Sequence, residues 1–353
     1  MKIGICTGGG DCPGLNAAIR AAVKHGIRNH QMEFTGILDS FNGLQDRPMR
    51  TIPLKNTDVM DILHRGGTIL GTFNRGCCFS GADGDHKLQL TKEGFDELKL
   101  DALIVIGGEG TQGMSSQLIQ AGIPVIGIPK TIDNDLPGTD TTIGFSSCVD
   151  LVADSVHRLR STAESHDRIM ILEVMGRDSG YIALHGGVAG GCNVVLIPEI
   201  PFSWDSIISK INFRKKLGRN FSLIVVSEGA VPAGEQTQQF QTTPDGRQVL
   251  GGIGQIVGIR LQKETGMETR VTVLGHLQRG GQPNPQDRLL ASQMGIHAID
   301  LLAQGLHNQM VIKKGDRITH IPFSDISANS RRKISSDDQL LKAAEGLGIC
   351  LGR

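Results

Sequence analysis

Asp133 and Asp135 stand two residues apart in the stretch Pro129-Lys130-Thr131-Ile132-Asp133-Asn134-Asp135-Leu136-Pro137-Gly138, which a helix cannot contain. Such a pair can divide two tasks: one carboxylate accepts the proton of an attacking hydroxyl while the other contributes to metal binding, as phosphoryl transfer requires. Lys130 and Thr131 supply the other half of a phosphate site, and a solvated acidic turn is the alternative. A second segment, Gly107-Gly108-Glu109-Gly110-Thr111, puts one carboxylate between glycines. Glu109 could hold magnesium, which binds through one or two carboxylates and substrate phosphates. The bland alternative makes Thr111 a helix cap and Glu109 a solvated turn residue.

The third segment is Thr7-Gly8-Gly9-Gly10-Asp11-Cys12-Pro13-Gly14. Glycines at 8, 9, 10 and 14 let backbone amides approach a ligand, and a helix beginning near Gly14 turns its positive end towards it. The loop reads as a phosphate cradle or as a mere tight turn. It lacks the GKS or GKT of a Walker loop and the GxGxxG of a dinucleotide fold.

The elements that position these loops show as apolar runs at 3–6, 102–106, 124–128, 169–174, 194–197, 223–226 and 271–274, separated by helical periodicity at 15–28, 112–121, 146–163, 204–217 and 286–303. Runs apolar on both faces and alternating with helices predict an α/β protein with mostly parallel sheets, two in number. In such sheets ligands sit beyond the carboxyl ends of the strands. The three loops above are all strand exits, as are Met175-Gly176-Arg177-Asp178-Ser179-Gly180, Ser227-Glu228-Gly229 and Gly275-His276-Leu277-Gln278-Arg279. Arg168 and Arg270 lie at the opposite, starting ends of two strands, where surface arginines are the default reading. Residues 232–247 read as an exposed hairpin or loop.

Lysine plus arginine and aspartate plus glutamate both total 36, so no net field draws in nucleic acid or an anionic membrane. Glycine, 47 of 353 residues or about 13%, is well above the usual value of about 7%. Seven cysteines with no CxxC suggest neither a disulfide framework nor a zinc site. No run of roughly 18 apolar residues occurs, and the opening Met1-Lys2-Ile3-Gly4-Ile5 has no secretory character, so the expected location is cytoplasmic.

The set of exits resembles the 6-phosphofructokinase family from Lys2 to about Ile312. The resemblance is carried by GGGDCPGLNAAIR at 8–20, GGTILGT at 66–72, GGEGT at 107–111, PKTIDNDLPGTDTTIGF at 129–145, EVMGRDSG at 173–180, AGGCNVVLIPE at 189–199 and ETRVTVLGHLQRGG at 268–281. GGEGT alone is also similar to NAD kinases and lipid kinases; the TIDND loop, the MGR turn and GHLQRGG in this order are specific. The resemblance implies two similar three-layer α/β lobes with the cleft between them. Residues 1–144 plus 278–328 would bind the phosphoryl donor and 145–277 plus 329–353 the sugar phosphate.

It also implies roles. Asp133 would be the general base on the 1-hydroxyl of fructose 6-phosphate, with Thr131 beside the transferring phosphoryl group and Arg177 neutralising charge. Glu109 and Asp135 would hold Mg2+. Gly10, Gly108, Gly110, Thr111 and Lys130 would complete the donor site, the phosphate-bridging arginine falling on Asn74 or, one place later, on Arg75. Met175, Gly176 and Glu228 would hold the sugar, and His276 and Arg279 its 6-phosphate. Arg168 and Arg270 would reach a neighbouring subunit's substrate, which makes a homo-oligomer, dimer or tetramer, obligatory.

Family members divide by donor. Gly110, where pyrophosphate enzymes place aspartate, points to ATP, while Lys130 is the residue the pyrophosphate enzymes have. A carboxylate at 110 would exclude ATP by volume and repulsion, whereas lysine is flexible, so ATP is the expected donor and pyrophosphate the alternative. A non-catalytic sugar-phosphate-binding subunit finds support only in Asn74 and in Asn193, which replaces an acidic effector-site residue. An NAD kinase would leave His276, Arg279, Arg168 and Arg270 without a phosphate to hold.

Overall fold

The computed structural model describes residues 1–73, 79, 81–235, 240–242, 248–326 and 331–353, with 240–242 and 248–250 described by backbone alone. The strands are β1 (Lys2–Gly8), β2 (Glu33–Ile37), β3 (Thr51–Leu54), β4 (Ala102–Gly107), β5 (Val125–Pro129), β6 (Ile169–Val174), β7 (Val194–Leu196), β8 (Ser222–Ser227), β9 (Phe240–Thr242), β10 (Gln248–Leu250), β11 (Thr269–Val273), β12 (Gln309–Lys314) and β13 (Arg317–Pro322). The helices are α1 (Leu15–His30), α2 (Asn42–Gln45), α3 (Gly84–Glu97), α4 (Glu109–Gln120), α5 (Phe145–Ser165), α6 (Tyr181–Ala189), α7 (Trp204–Lys216), α8 (Ile253–Thr265), α9 (Pro285–Ala303) and α10 (Gln339–Gly346). The chain divides into two compact units, Met1–Ser147 with Arg279–Arg331 and Cys148–Gln278 with Arg332–Arg353.

The first unit is built on a seven-stranded sheet of order β13-β12-β5-β4-β1-β2-β3, parallel except at its two edges, where β13 and β3 run antiparallel to their neighbours. Every residue of β4 and β5 is buried, because helices cover both faces of a parallel sheet and no position can stay polar. The register matters for function: Gly8 lies opposite Gly107, and Gly107 opposite Pro129, so β1, β4 and β5 end together on one edge. Cys6, Leu103, Val105, Val125 and Met310 form part of the core beneath that edge.

Helix α1 starts at Gly14, whose φ of 107° is open chiefly to glycine. It packs along α9, and the approach is close: a Cβ on Gly295 would come 2.6 Å from the Ala18 carbonyl oxygen. Helix α9 has Pro285 at its first turn and Asn284 as N-cap, whose side chain accepts from the Asp287 N–H at 2.8 Å. Asp287 is fully buried, yet its carboxylate accepts from the Gly144 N–H at 2.9 Å, the Ser147 N–H at 2.8 Å and the Ser147 hydroxyl at 2.6 Å. These bonds satisfy the first donors of α5 and compensate the burial of the charge.

The second unit carries a four-stranded, all-parallel sheet of order β11-β6-β8-β7. Its core includes Ile169, Ile171, Val194, Ile224, Val226 and Val257. Glu173, buried within β6, accepts from the Gly252 and Gly254 N–H groups at 3.1 and 2.8 Å and so fixes the start of α8. Beside the two expected sheets, β9 pairs antiparallel with β10 where the sequence reads as a hairpin or loop, the second strand lying just beyond the expected 232–247; residues 236–239 and 243–247 lie outside the described residues. Among the described residues no helix is long and apolar enough to cross a membrane. Among the described residues Cys6, Cys12, Cys148 and Cys192 are buried thiols and Cys350 is half-buried.

Candidate active site

The aligned ends of β1, β4 and β5 border a cavity of ≈ 360 Å³ in the first unit. Gly9 and Gly10 form one wall, Gly108, Glu109, Gly110 and Thr111 a second, and Lys130, Thr131, Asp133 and Asp135 a third, with Arg279 and Arg331 also lining it. Gly10, Gly110 and Asp133 therefore face one space, although they lie more than a hundred residues apart in the extreme case.

The loop after β5 is held by its own side chains. Asn134 adopts a left-handed φ of 52°, which asparagine tolerates, and its Oδ1 accepts from the Thr142 N–H at 3.0 Å. The Asp133 N–H donates to Thr131 Oγ1 at 3.2 Å, and the Thr131 hydroxyl lies 3.5 Å from Asp133 Oδ2. Lys130 is only 2% exposed, and its ammonium donates to the Gly8 carbonyl at 2.9 Å and to the Gly10 carbonyl. Burial lowers its pKa from the ordinary lysine value. Lys130 is thus a brace for the glycine loop as well as a lining group, not the loosely tethered lysine the sequence suggests.

Helix α4 begins at Glu109, three residues before its expected start, with Gly108 as N-cap and no side chain capping it. This overturns the alternative in which Thr111 caps the helix: Thr111 lies inside it, buried against Gly8 and Gly107. Glu109 stands at the positive end of the helix, where a carboxylate is favoured. Asp135 is buried, and that burial first, then the neighbouring Asp133, pushes its carboxyl up to about 6, while Arg331 acts in the opposite direction. The Arg331 guanidinium lies 3.6 Å from Glu109 Oε2 and 3.9 Å from Asp135 Oδ2. Three carboxylates sharing one cavity, with one of them driven towards its neutral form by the others and by burial, match a hard divalent cation that takes oxygen ligands.

In the second unit the ends of β11, β6 and β8 are likewise aligned, Val273 opposite Glu173 and Val174 opposite Ser227. Met175, Gly176, Glu228 and His276 follow those ends. The Gly176 N–H points to Glu228 Oε1 at 3.4 Å, and the Met175 N–H donates to Gln278 Oε1 at 3.2 Å. Gly176 has φ 135°, and a Cβ there would meet Ser227 Oγ at 2.4 Å. Arg177 and His276 are exposed. Arg168 and Arg270 sit at the opposite edge of the same sheet, both paired with Glu268, with Arg168 Nε to Glu268 Oε2 at 2.5 Å.

Of the residues singled out from sequence, Gly10, Gly108, Glu109, Gly110, Thr111, Lys130, Thr131, Asp133, Asp135 and Arg279 share the first unit's cavity. Met175, Gly176, Glu228 and His276 share a sheet edge in the second, while Arg168 and Arg270 stand apart from them. Asn74 and Arg75 lie outside the described residues. Sequence reasoning missed Arg331, Phe73 and Met114, which also line the cavity. Phe73 follows the GGTILGT fragment and Met114 lies one turn beyond Gly110 on α4, so both could have been found by walking on from motifs; Arg331 carries no such signal.

Comparison with known proteins gives a consistent answer. The family model described as "Phosphofructokinase" matches residues 2–302. A Chloroflexus aurantiacus protein named ATP-dependent 6-phosphofructokinase is 46% identical over 100% of this chain and 98% of its own length. An Amycolatopsis methanolica protein named pyrophosphate–fructose 6-phosphate 1-phosphotransferase is 44% identical over 93% of this chain and 95% of its own. Among solved structures, Pichia pastoris phosphofructokinase in the T-state superposes with a TM-score of 0.82 at 28% identity over 99% of this chain, which spans 37% of the Pichia chain. The chain belongs to the phosphofructokinase family.

Proposed function

We propose that this chain is an ATP-dependent 6-phosphofructokinase, transferring the γ-phosphoryl group of ATP to the 1-hydroxyl of fructose 6-phosphate. The observation that carries the proposal is the single cavity onto which a glycine-rich loop, a helix N-terminus bearing Glu109, and Asp133 and Asp135 all open. Asp133 accepts the proton of the attacking hydroxyl, and its bonds with Thr131 orient it for that task. Backbone amides around Gly9, Gly10 and Gly108, with the start of α4, hold the donor phosphates. Glu109 and Asp135 would hold Mg2+, which when bound screens the charge of the donor phosphates. Met175, Gly176, Arg177, Glu228 and His276 would hold the sugar phosphate, with Arg279 on its 6-phosphate, the roles that the family resemblance implies. Arg168 and Arg270, gathered by Glu268, serve the substrate of a second copy in a homo-oligomer.

Gly110 supports ATP as donor, since a Cβ there would meet nothing within 4 Å and the space beside it is open. Pyrophosphate is the second reading, favoured by Lys130 and by the Amycolatopsis relative. The commitment of the Lys130 ammonium to the Gly8 and Gly10 carbonyls weakens that support, because it gives the lysine a task independent of the donor. Assaying the purified protein with each donor, at saturating fructose 6-phosphate and Mg2+, decides the matter. Turnover with ATP is expected; turnover with pyrophosphate and none with ATP would reverse the assignment.

A further inference from the structure

At the far end of α1 from the glycine loop, three metal-ligating side chains converge that the proposed reaction does not use. His25 and His30 come from the second half of α1 and Asp300 from α9. His25 Nε2 lies 2.7 Å and His30 Nε2 3.7 Å from the same Asp300 oxygen, and all three ligand atoms fall within 4.8 Å of one another. The two imidazole rings meet edge to face at 5.3 Å between centroids. The group is partly buried, the side chains of His25, His30 and Asp300 retaining 20%, 29% and 39% of their exposure.

We propose that His25, His30 and Asp300 form a binding site for a divalent transition-metal ion of the zinc class, clipping the end of α1 to α9. A tetrahedral ion with ligands at roughly 2.0–2.2 Å requires ligand atoms about 3.4 Å apart; the two separations to Asp300, 2.7 and 3.7 Å, bracket that spacing, and the two imidazole nitrogens lie within 4.8 Å of each other. Small side-chain movements complete it, and three protein ligands leave a fourth position for water. Two imidazoles with one carboxylate suit zinc, cobalt, nickel or copper; magnesium and calcium prefer all-oxygen sets.

A supporting residue is already in place. Asn29 Nδ2 contacts His25 Nδ1 at 2.8 Å. A half-turn of that amide presents its oxygen instead, so that Nδ1–H donates to Asn29 and the Nε2 lone pair faces the metal, the arrangement that fixes a ligating histidine. The clip would brace the helix whose other end faces the proposed donor site. Its role is structural, and its ion is distinct in class and place from the Mg2+ assigned to Glu109 and Asp135.

The test uses the full-length protein, stripped with chelator and returned to Mg2+-containing buffer at pH 7.5 so that the oxygen site is supplied. Zn2+ is titrated by calorimetry, and Co2+ is followed by its visible absorption. One Zn2+ per chain, an intense four-coordinate Co2+ band and a rise in Tm with Zn2+ are expected. His30→Gln, at the helix end, and Asp300→Asn should each weaken Zn2+ binding at least about tenfold and abolish the Tm rise, while His30→Gln keeps the metal-free Tm and the turnover with Mg2+. Absence of stoichiometric Zn2+ binding by the native protein, or equal binding by His30→Gln and the native chain, would overturn the proposal and leave a simple hydrogen-bonded pair between two helices.

Discussion

Gly110→Asp is the sharpest probe of donor choice, because the structure isolates its effect from folding. The position is the second residue of α4, and a Cβ there meets nothing within 4 Å, so the substitution needs no repacking. An aspartate in the first turn should even help, by about 0.3–1 kcal/mol from the helix dipole and a few tenths from replacing glycine. Its charge is another matter. For an assumed separation of about 5 Å from a donor phosphate, a carboxylate costs roughly 0.8 kcal/mol at the dielectric of water and roughly 3.3 kcal/mol at an effective value of 20. The corresponding loss in kcat/KM for ATP is about 4- to 300-fold. Pyrophosphate has no third phosphate to repel and should lose far less. Coupled assays with both donors, alongside a melting curve, measure each term. An unchanged kcat/KM for ATP in a variant with native Tm would show that the triphosphate does not pass Gly110.

The backbone at Gly176 and the burial of two cysteines carry two further expectations. Gly176→Ala should lower stability by about 1–3 kcal/mol in urea unfolding and raise the KM for fructose 6-phosphate, since an L-residue is strained at φ 135° and its Cβ would meet Ser227 Oγ at 2.4 Å and the Ser179 carbonyl at 2.6 Å. Cys12 and Cys192, both pushed up to about 12 chiefly by burial, stay in the unreactive thiol form at pH 8.5. Brief alkylation of the native protein at that pH, read by peptide mass spectrometry, should leave both unmodified, and modification comparable to an exposed cysteine would contradict their placement.

The parallel core was legible because its chemistry is repetitive. β1, β4, β5, β6 and β8 are short apolar runs with helices between them, and their shared exits could be lined up from the rule that ligands gather at carboxyl ends. The edge strands were not legible. β13 reads Arg-Ile-Thr-His-Ile-Pro with intermediate burial, and β3 contains Pro53, so neither shows the doubly buried signature. Helix α6 was missed for the opposite reason: Tyr181 to Leu184, Gly186 and Gly187 are all buried, leaving no polar face to set a helical period. In the site, glycines and carboxylates were recognisable by spacing. The burial of Lys130 was not, because a lysine satisfied by backbone carbonyls 120 and 122 residues away leaves no local mark. Arg331 is invisible for the same reason, its meeting with Glu109 and Asp135 being purely tertiary.

The central claim is that Asp133 removes the proton from the sugar hydroxyl at the edge of the cavity it shares with Gly10 and Gly110. The direct measurement is steady-state turnover of Asp133→Ser with ATP and fructose 6-phosphate, paired with calorimetric binding of fructose 6-phosphate to the same variant. Turnover should fall by about 10²- to 10⁴-fold while binding stays within a few-fold of native. A variant that keeps its turnover, or a native protein that binds fructose 6-phosphate and is as inactive as the variant, would contradict the account.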